Sequence, residues 1–211
     1  MTILPTSSAT KQCTVYKFAY GGSEFSIIDT PGLRDAAVEN FEVLKQIANE
    51  VAKRTRGKKE PWIDGAIYFH RITGKRFTHS DRVCLSIFEA ICGEGFYPCV
   101  ACLTTMWDDI RDGEEKYFDN LSKELREDYM NFSGCGPGVF DLKGNGDIEL
   151  LLETFSRIRN RNRDHDRGKE LQLEKEIKKL SANRYKKTTA GLKVAELVQQ
   201  ELGACGVCVI L

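Results

Sequence analysis

The sequence lacks several features that would point to particular classes of protein. Its 31 basic and 31 acidic side chains give no net charge, so no overall field favours nucleic acid as a partner. No apolar run approaches the roughly 20 residues that span a bilayer, and Met1–Thr10 holds no basic segment followed by an apolar one. Internal repeats and low-complexity tracts are also missing. We therefore expect a cytoplasmic chain with neither a signal peptide nor a transmembrane helix.

Cysteine is present but is not arranged as a disulfide framework. The eight cysteines lie mostly in apolar runs, which is typical of a reducing compartment. Cys99 and Cys102 form one C-x-x-C pair, and Cys205 and Cys208 form another. A zinc site would need both pairs together, but residues three apart on a strand point to opposite faces, which disfavours zinc. The three histidines are too scattered for metal ligation, and His70 at a strand end favours a structural role.

The apolar pattern predicts an α/β fold with one main domain. Predicted strands are Cys13–Ala19, Glu24–Asp29, Gly65–Arg71, Tyr97–Thr104 and Gly138–Leu142. The first two predict a hairpin across Gly21 and Gly22. Predicted helices are Asp35–Thr55, His79–Cys92, Gly113–Asn131 and Asp147–Asn162. Strands that alternate with helices imply a mostly parallel sheet flanked by helices.

A charged helical pattern replaces the strands from Asp166 onward. Its candidate apolar-face positions are Leu171, Leu173, Ile177, Leu180, Leu192, Val194, Leu197, Val198 and Leu202. The junction Arg157–Lys169 is rich in Arg, Asn and Asp, which indicates a linker or a solvated helix. We predict a sheet domain over residues 1–164, a charged helical or coiled-coil tail over 165–204 and a short C-terminal segment over 205–211.

The most informative motif is an apolar strand that runs into the string DTPGL, from Phe25 to Leu33. This spacing suits a phosphate site, because a carboxylate at a strand end can hold a water of Mg²⁺. A glycine three residues later lets a backbone N–H approach a γ-phosphate. Asp29 and Gly32 would fill these roles. The alternative is a plain strand, turn and helix without a ligand.

Upstream of this motif, the segment Ser7–Cys13 and the hairpin into DTPGL resemble the switch I region of the immunity-associated GTPases, the GIMAP or IAN group. The strings GAIYFHRIT, LTTMWD and TTAGLKV are similar to fungal G-domain proteins related to that group. The resemblance covers Ser8–Leu197. It implies GTP or GDP with Mg²⁺ as ligands, and Thr10 as the switch threonine that reaches Mg²⁺. The alternative for Thr10 is a polar residue in a flexible segment.

The resemblance also places the guanine-recognition motif at Cys102–Asp108, where Asp108 would pair with the guanine edge. The family has a lysine two residues before this aspartate, whereas this sequence has Met106, which puts guanine specificity in doubt. Trp107 would flank a base or pack in the core. The base-contacting loop of the family corresponds to Phe140–Lys143, which has no S-A-K signature, so no residue is transferred from it.

A phosphate-cradling string G-x-x-x-x-G-K-[ST] does not occur in the sequence. Gly144–Gly146 and Gly74–Arg76 lack its spacing. In the resembling family this loop and its strand precede the switch threonine, so we expect a P-loop NTPase-like sheet that is truncated at its N-terminus. Neither a glutamine nor an arginine finger is identifiable, so the catalytic residues stay unknown.

The last four residues, Cys208–Leu211, fit the C-a-a-X pattern for geranylgeranylation, and Cys205 could carry a palmitoyl chain. The alternative is an apolar end that docks or frays. Two hypotheses follow: a GTP-binding protein with impaired nucleotide binding, or a non-catalytic pseudo-GTPase scaffold for interactions at a membrane surface. Expected partners are a guanine nucleotide, a second copy through the G domain or tail, and a membrane surface through the lipidated C-terminus.

Overall fold

The computed structural model describes residues 10–33, 39–58, 61–73, 77–111, 113–126, 139–143, 149–150, 152–154, 156–157, 160 and 169–204. Strands and helices alternate up to the last described strand, and only helical segments follow that strand among the described residues. Short 3₁₀ segments cover residues 94–99, 107–109 and 182–187. The predicted α/β class is confirmed.

The first two strands form the predicted hairpin. Strands β1 (Thr14–Tyr20) and β2 (Ser23–Asp29) pair antiparallel, and the turn between them falls at Gly21 and Gly22. Both glycines have positive φ, 56° and 73°, which a two-residue hairpin turn of this kind requires and a side chain would disfavour. The hairpin therefore fixes which residue of β1 lies opposite the end of β2.

The remaining three strands form a separate parallel sheet. Its strands are β3 (Ala66–Arg71), β4 (Val100–Thr105) and β5 (Val139–Asp141), with β4 in the middle. Strand β4 is an apolar run whose first five residues are buried, as a central parallel strand requires. Among the described residues, no strand joins this sheet to the hairpin.

Three helices accompany these strands: α1 (Asn40–Thr55), α2 (His79–Cys92) and α3 (Glu115–Glu124). The bounds of α2 match the prediction because its ends are marked in the sequence. At its start, Thr78 and Asp81 form a reciprocal capping box, and at its end Gly93 takes a positive φ of 72°. Helix α1 is described from Asn40 onward, and its predicted start at Asp35 falls within residues 34–38, which, like 127–131, lie outside the described part.

The C-terminal helices α4 (Gln172–Leu180) and α5 (Thr189–Ala204) pack against α1 and α2. Their buried apolar residues belong to the main core, and these are Leu171, Leu173, Ile177, Ala190, Val194 and Leu197. Leu192 is 61% exposed, so its assignment to the apolar face was wrong. Ala190, Val194 and Leu197 share one helix face by their i, i+4, i+7 spacing, and Leu192 points away from that face.

Several predicted features lie outside the described residues. These are the domain boundary at 164/165, the glycines of Gly144–Gly146 and the cysteines Cys205 and Cys208. The predicted helix Asp147–Asn162 is described only in part, and the described residues there are helical. Within the described ranges, no helix combines the length and apolarity needed to cross a membrane.

Candidate functional site

The hairpin brings together the two residues predicted to reach Mg²⁺. Asp29 is the last residue of β2 and lies opposite Thr14, so the segment before β1 passes beside the Asp29 carboxylate. Thr10 in that segment donates a hydrogen bond from Oγ1 to Oδ2 of Asp29, at 3.2 Å. Two residues 19 positions apart in sequence thus place a hydroxyl and a carboxylate at one point.

The residues after Asp29 leave the strand in a way that anchors the motif. Pro31 is buried, and Leu33 packs against the main core. Gly32 between them is exposed. Gly32 is therefore exposed to solvent while both of its neighbours are held by packing, and a glycine lets a ligand approach the backbone closely.

The charges around this end of the hairpin come from two elements. Burial, reinforced by the carboxylates of Glu50 and Asp29 and opposed by Lys53, raises the pKa of the Cys13 thiol to about 11. Cys13 is therefore protonated at neutral pH. The same interactions show that the end of α1, which carries Glu50 and Lys53, lies within electrostatic reach of the start of β1.

The donor set at Thr10 and Asp29 fits Mg²⁺ in kind but not in number. Hydroxyl and carboxylate oxygens are the hard ligands that Mg²⁺ prefers, and the ion needs about six of them in an octahedron. Two protein oxygens leave the other positions to water and to phosphate oxygens. In the described part of the chain, no three His, Cys, Asp or Glu side chains converge into a metal-binding group.

The second predicted group lies after β4. Met106 adopts a left-handed conformation, with φ 66° and ψ 31°, and its side chain is 50% exposed. Trp107 turns inward, is buried, and donates from Nε1 to Oγ1 of Thr104 at 2.9 Å. Asp108 is exposed on the 3₁₀ turn that follows. Trp107 is thus a core residue, and Met106 and Asp108 are the accessible side chains.

A partly buried carboxylate that sequence reasoning missed holds this loop. Asp141, the last residue of β5, accepts hydrogen bonds through Oδ1 from Thr104 and Ser122, each at 2.7 Å. Its Oδ2 pairs with Nη2 of Arg126 at 2.8 Å. Thr104 links Asp141 to the indole of Trp107, so this network positions the segment that carries Met106 and Asp108. The only signal in the sequence is an aspartate at a strand end.

Lys143 covers the other side of Trp107. Its Nζ lies 4.1 Å from the centroid of the indole ring and forms an ion pair with Asp119. Lys143 follows β5, and Trp107 follows β4, so the two loops meet at the carboxyl edge of the parallel sheet. Open α/β sheets bind their ligands at this edge. The resembling family has a lysine where this chain has Met106, and Lys143 places a different cation beside the next residue, Trp107.

His70 has a structural environment. It is buried on β3, with its ring 6.5 Å from that of Tyr68 and 5.6 Å from that of Phe77. Burial lowers the pKa of His70, and the nearby Asp81 carboxylate acts in the opposite direction. A neutral imidazole among aromatic rings agrees with the structural role expected for this residue.

Comparison with protein families gives one match. Residues 2–182 match the family model described as the AIG1 family. The match includes both groups described above and ends at Ala182, before α5. A search of curated proteins returned no match.

Proposed function

The chain belongs to the AIG1 family, a family of P-loop GTPases, and from this premise we propose that it is a G-domain protein whose nucleotide binding is impaired. The observation that supports the proposal most directly is the hydrogen bond between Thr10 and Asp29. It joins the hydroxyl and the carboxylate that a Mg²⁺-dependent phosphate site would use. When bound, Mg²⁺ would supply charge neutralisation at phosphate oxygens.

The impairment follows from what the 211 residues do not contain. A loop of the form G-x-x-x-x-G-K-[ST] wraps the phosphates with backbone N–H groups and neutralises them with its lysine. No such string occurs in this sequence. Thr10, Asp29 and Gly32 can contact an ion and one phosphate group, but they cannot replace a cradle of several amides and a cation.

Base recognition is proposed to be weak as well. Asp108 is exposed and can accept hydrogen bonds from a guanine edge, while Met106 offers an apolar surface to a ring. Lys143 is already engaged with Asp119 and Trp107. A base site here would therefore have an acceptor in Asp108, while Lys143, the described cation that contacts Trp107, already has partners of its own.

We expect the 211-residue chain to show no saturable binding of a fluorescent GTP analogue at micromolar concentrations with Mg²⁺ present. Fluorescence anisotropy titrations measure this. Residual binding at higher concentrations should fall by about tenfold in Asp29→Ala, because one charge-assisted contact is lost. Asp108→Ala should weaken the binding of guanine analogues. Asp109 is an exposed neighbour of Asp108, so Asp109→Ala serves as the matched control.

The outcomes separate the parts of this proposal. Micromolar, Mg²⁺-dependent binding that Asp29→Ala abolishes would contradict the impairment and retain the site. Binding that is indifferent to Asp29→Ala would contradict the site itself. Absence of micromolar binding, with weak binding that depends on Asp29, supports the proposal in full.

The second candidate function is a non-catalytic pseudo-GTPase scaffold at a membrane surface. The missing phosphate loop and the terminal C-a-a-X pattern support it. The apolar faces of α4 and α5 are covered by α1 and α2, so a partner would reach other surfaces of this region. This candidate requires no bound nucleotide.

In a chain that ends at Leu211, we expect Cys208 to carry a geranylgeranyl group when the protein is made in eukaryotic cells. A single lipid chain anchors only marginally, so a second signal such as palmitate on Cys205 would be needed for stable attachment. Intact mass spectrometry and membrane fractionation test this. Cys208→Ser should remove the modification and shift the protein to the supernatant, whereas an unmodified wild-type chain would exclude the proposal.

A further inference from the structure

A cleft rich in cationic side chains lies at the C-terminal end of α1. Its volume is about 390 Å³, and it is lined by Glu50, Lys53, Arg54, Arg56, Lys58 and Trp62. We call it the basic cleft. It concentrates four cations around one carboxylate in a protein that has no net charge. Such a local excess attracts anions whatever the overall charge of the chain.

The wall of the basic cleft is fixed from behind by a buried carboxylate. The backbone N–H groups of Trp62 and Ile63 donate to the two oxygens of Glu174, at 2.8 and 3.1 Å, and Glu174 is fully buried. The indole of Trp62 is flanked by two cations, with Arg54 Cζ 5.4 Å and Lys58 Nζ 5.3 Å from the ring centroid. Cation–π contacts of this kind hold the charged groups beside a rigid surface.

Glu50 engages only half of the cations. Arg54 donates from Nε at 2.9 Å and pairs through Nη2 at 2.7 Å, and Lys53 Nζ lies 3.2 Å from the other oxygen. Burial alone would raise the pKa of Glu50, but the hydrogen bonds from Arg54 and Lys53 outweigh it and lower the pKa. Glu50 is therefore ionised at neutral pH. Arg56 and Lys58 are exposed and have no carboxylate partner among the described residues.

We propose that the basic cleft binds a phosphate-bearing ligand, with Arg56 and Lys58 making the first charge contacts and Trp62 forming an apolar wall. Glu50 then competes with the ligand for Arg54 and Lys53, so that it limits the affinity. A guanidinium fork matches the geometry of phosphate oxygens, and a lysine adds a point charge. The volume suits one phosphorylated group, either free in solution or on a lipid head. Neither Thr10 nor Asp29 lines the basic cleft.

The test uses the full chain and two phosphate sources. Isothermal titration calorimetry with sodium pyrophosphate measures the free form. Sedimentation with phosphatidylcholine vesicles, with and without phosphatidylinositol 4-phosphate, measures the lipid form. The double variant R56Q/K58Q should lose at least about tenfold in affinity, as expected for two charge-assisted contacts at an exposed site. The variant Lys45→Gln/Lys193→Gln removes as much charge from other exposed ion pairs and should bind like the wild type.

Glu50→Gln gives the sharper result, because it should increase the affinity several-fold by releasing Arg54 and Lys53. Binding of pyrophosphate, of the phosphoinositide vesicles or of both supports the proposal and identifies the source of the phosphate. Failure of the wild type to bind either probe would overturn it, as would equal binding by R56Q/K58Q. If R56Q/K58Q weakens the binding of a GTP analogue and Asp29→Ala does not, the phosphates of the analogue bind in the basic cleft rather than at the hairpin.

Discussion

Glu174→Ala is expected to lower the free energy of unfolding by about 3 kcal/mol, since it removes the single carboxylate that holds three groups at the base of α4. Glu174 is fully buried, accepts from the backbone N–H groups of Trp62 and Ile63, and pairs with Lys178 at 3.1 Å. Truncation would leave two peptide donors and one ammonium without this acceptor. Lys178 would keep its ion pair with Glu170, which moderates the loss of stability.

Urea denaturation followed by circular dichroism measures this effect. Glu196→Ala is the matched control, because Glu196 forms an exposed pair with Lys193 on α5 and should change stability by less than about 0.5 kcal/mol. Glu174→Gln keeps one acceptor oxygen but turns an amide N–H₂ towards a donor, so an intermediate loss is expected. Equal stability of Glu174→Ala and Glu196→Ala would show that Glu174 does not hold the segment before β3.

The importance of Glu174 could not be predicted, although a weak signal was present. Glu174 lies three residues from both Leu171 and Ile177, so it shares the apolar face of α4 with them. A charged residue on such a face needs a partner. Lys178 is a local partner, four residues away, but the two backbone N–H groups that Glu174 holds lie 111 and 112 residues away in the sequence, and nothing local identifies them.

Local signals account for the elements that the sequence predicted well. The start of α2 is marked by the Thr78 and Asp81 capping box and its end by Gly93, and both features act within a few residues of the boundary. The glycine pair at Gly21 and Gly22 fixes the hairpin register, which in turn brings Thr10 to Asp29. Tertiary contacts decide the rest, such as the partly buried network around Asp141, which joins β4, β5 and α3.

Gly191→Ala is expected to destabilise the protein by about 2 kcal/mol or more, opposite to what the sequence alone suggests. Gly191 lies inside α5, where alanine is intrinsically favoured over glycine by about 1 kcal/mol. In the structure, however, a Cβ at this position would lie 2.3 Å from the carbonyl oxygen of Tyr185 and 2.6 Å from Cα of Lys186. These are backbone atoms, so a rotamer change cannot relieve the clash.

The consequences extend to the core, because the 3₁₀ segment that carries Tyr185 packs against α1 and the Lys186 ammonium lies 4.9 Å from the centroid of the Phe41 ring. Thr188 ties this segment to α5 by donating to the carbonyl of Tyr185 and accepting from the N–H of Gly191. Thermal and urea unfolding measure the effect, with Gly95→Ala as control, since a Cβ at Gly95 meets nothing within 4 Å. A Gly191→Ala variant as stable as the parent would mean that the close approach of the two backbones does not restrict this position to glycine.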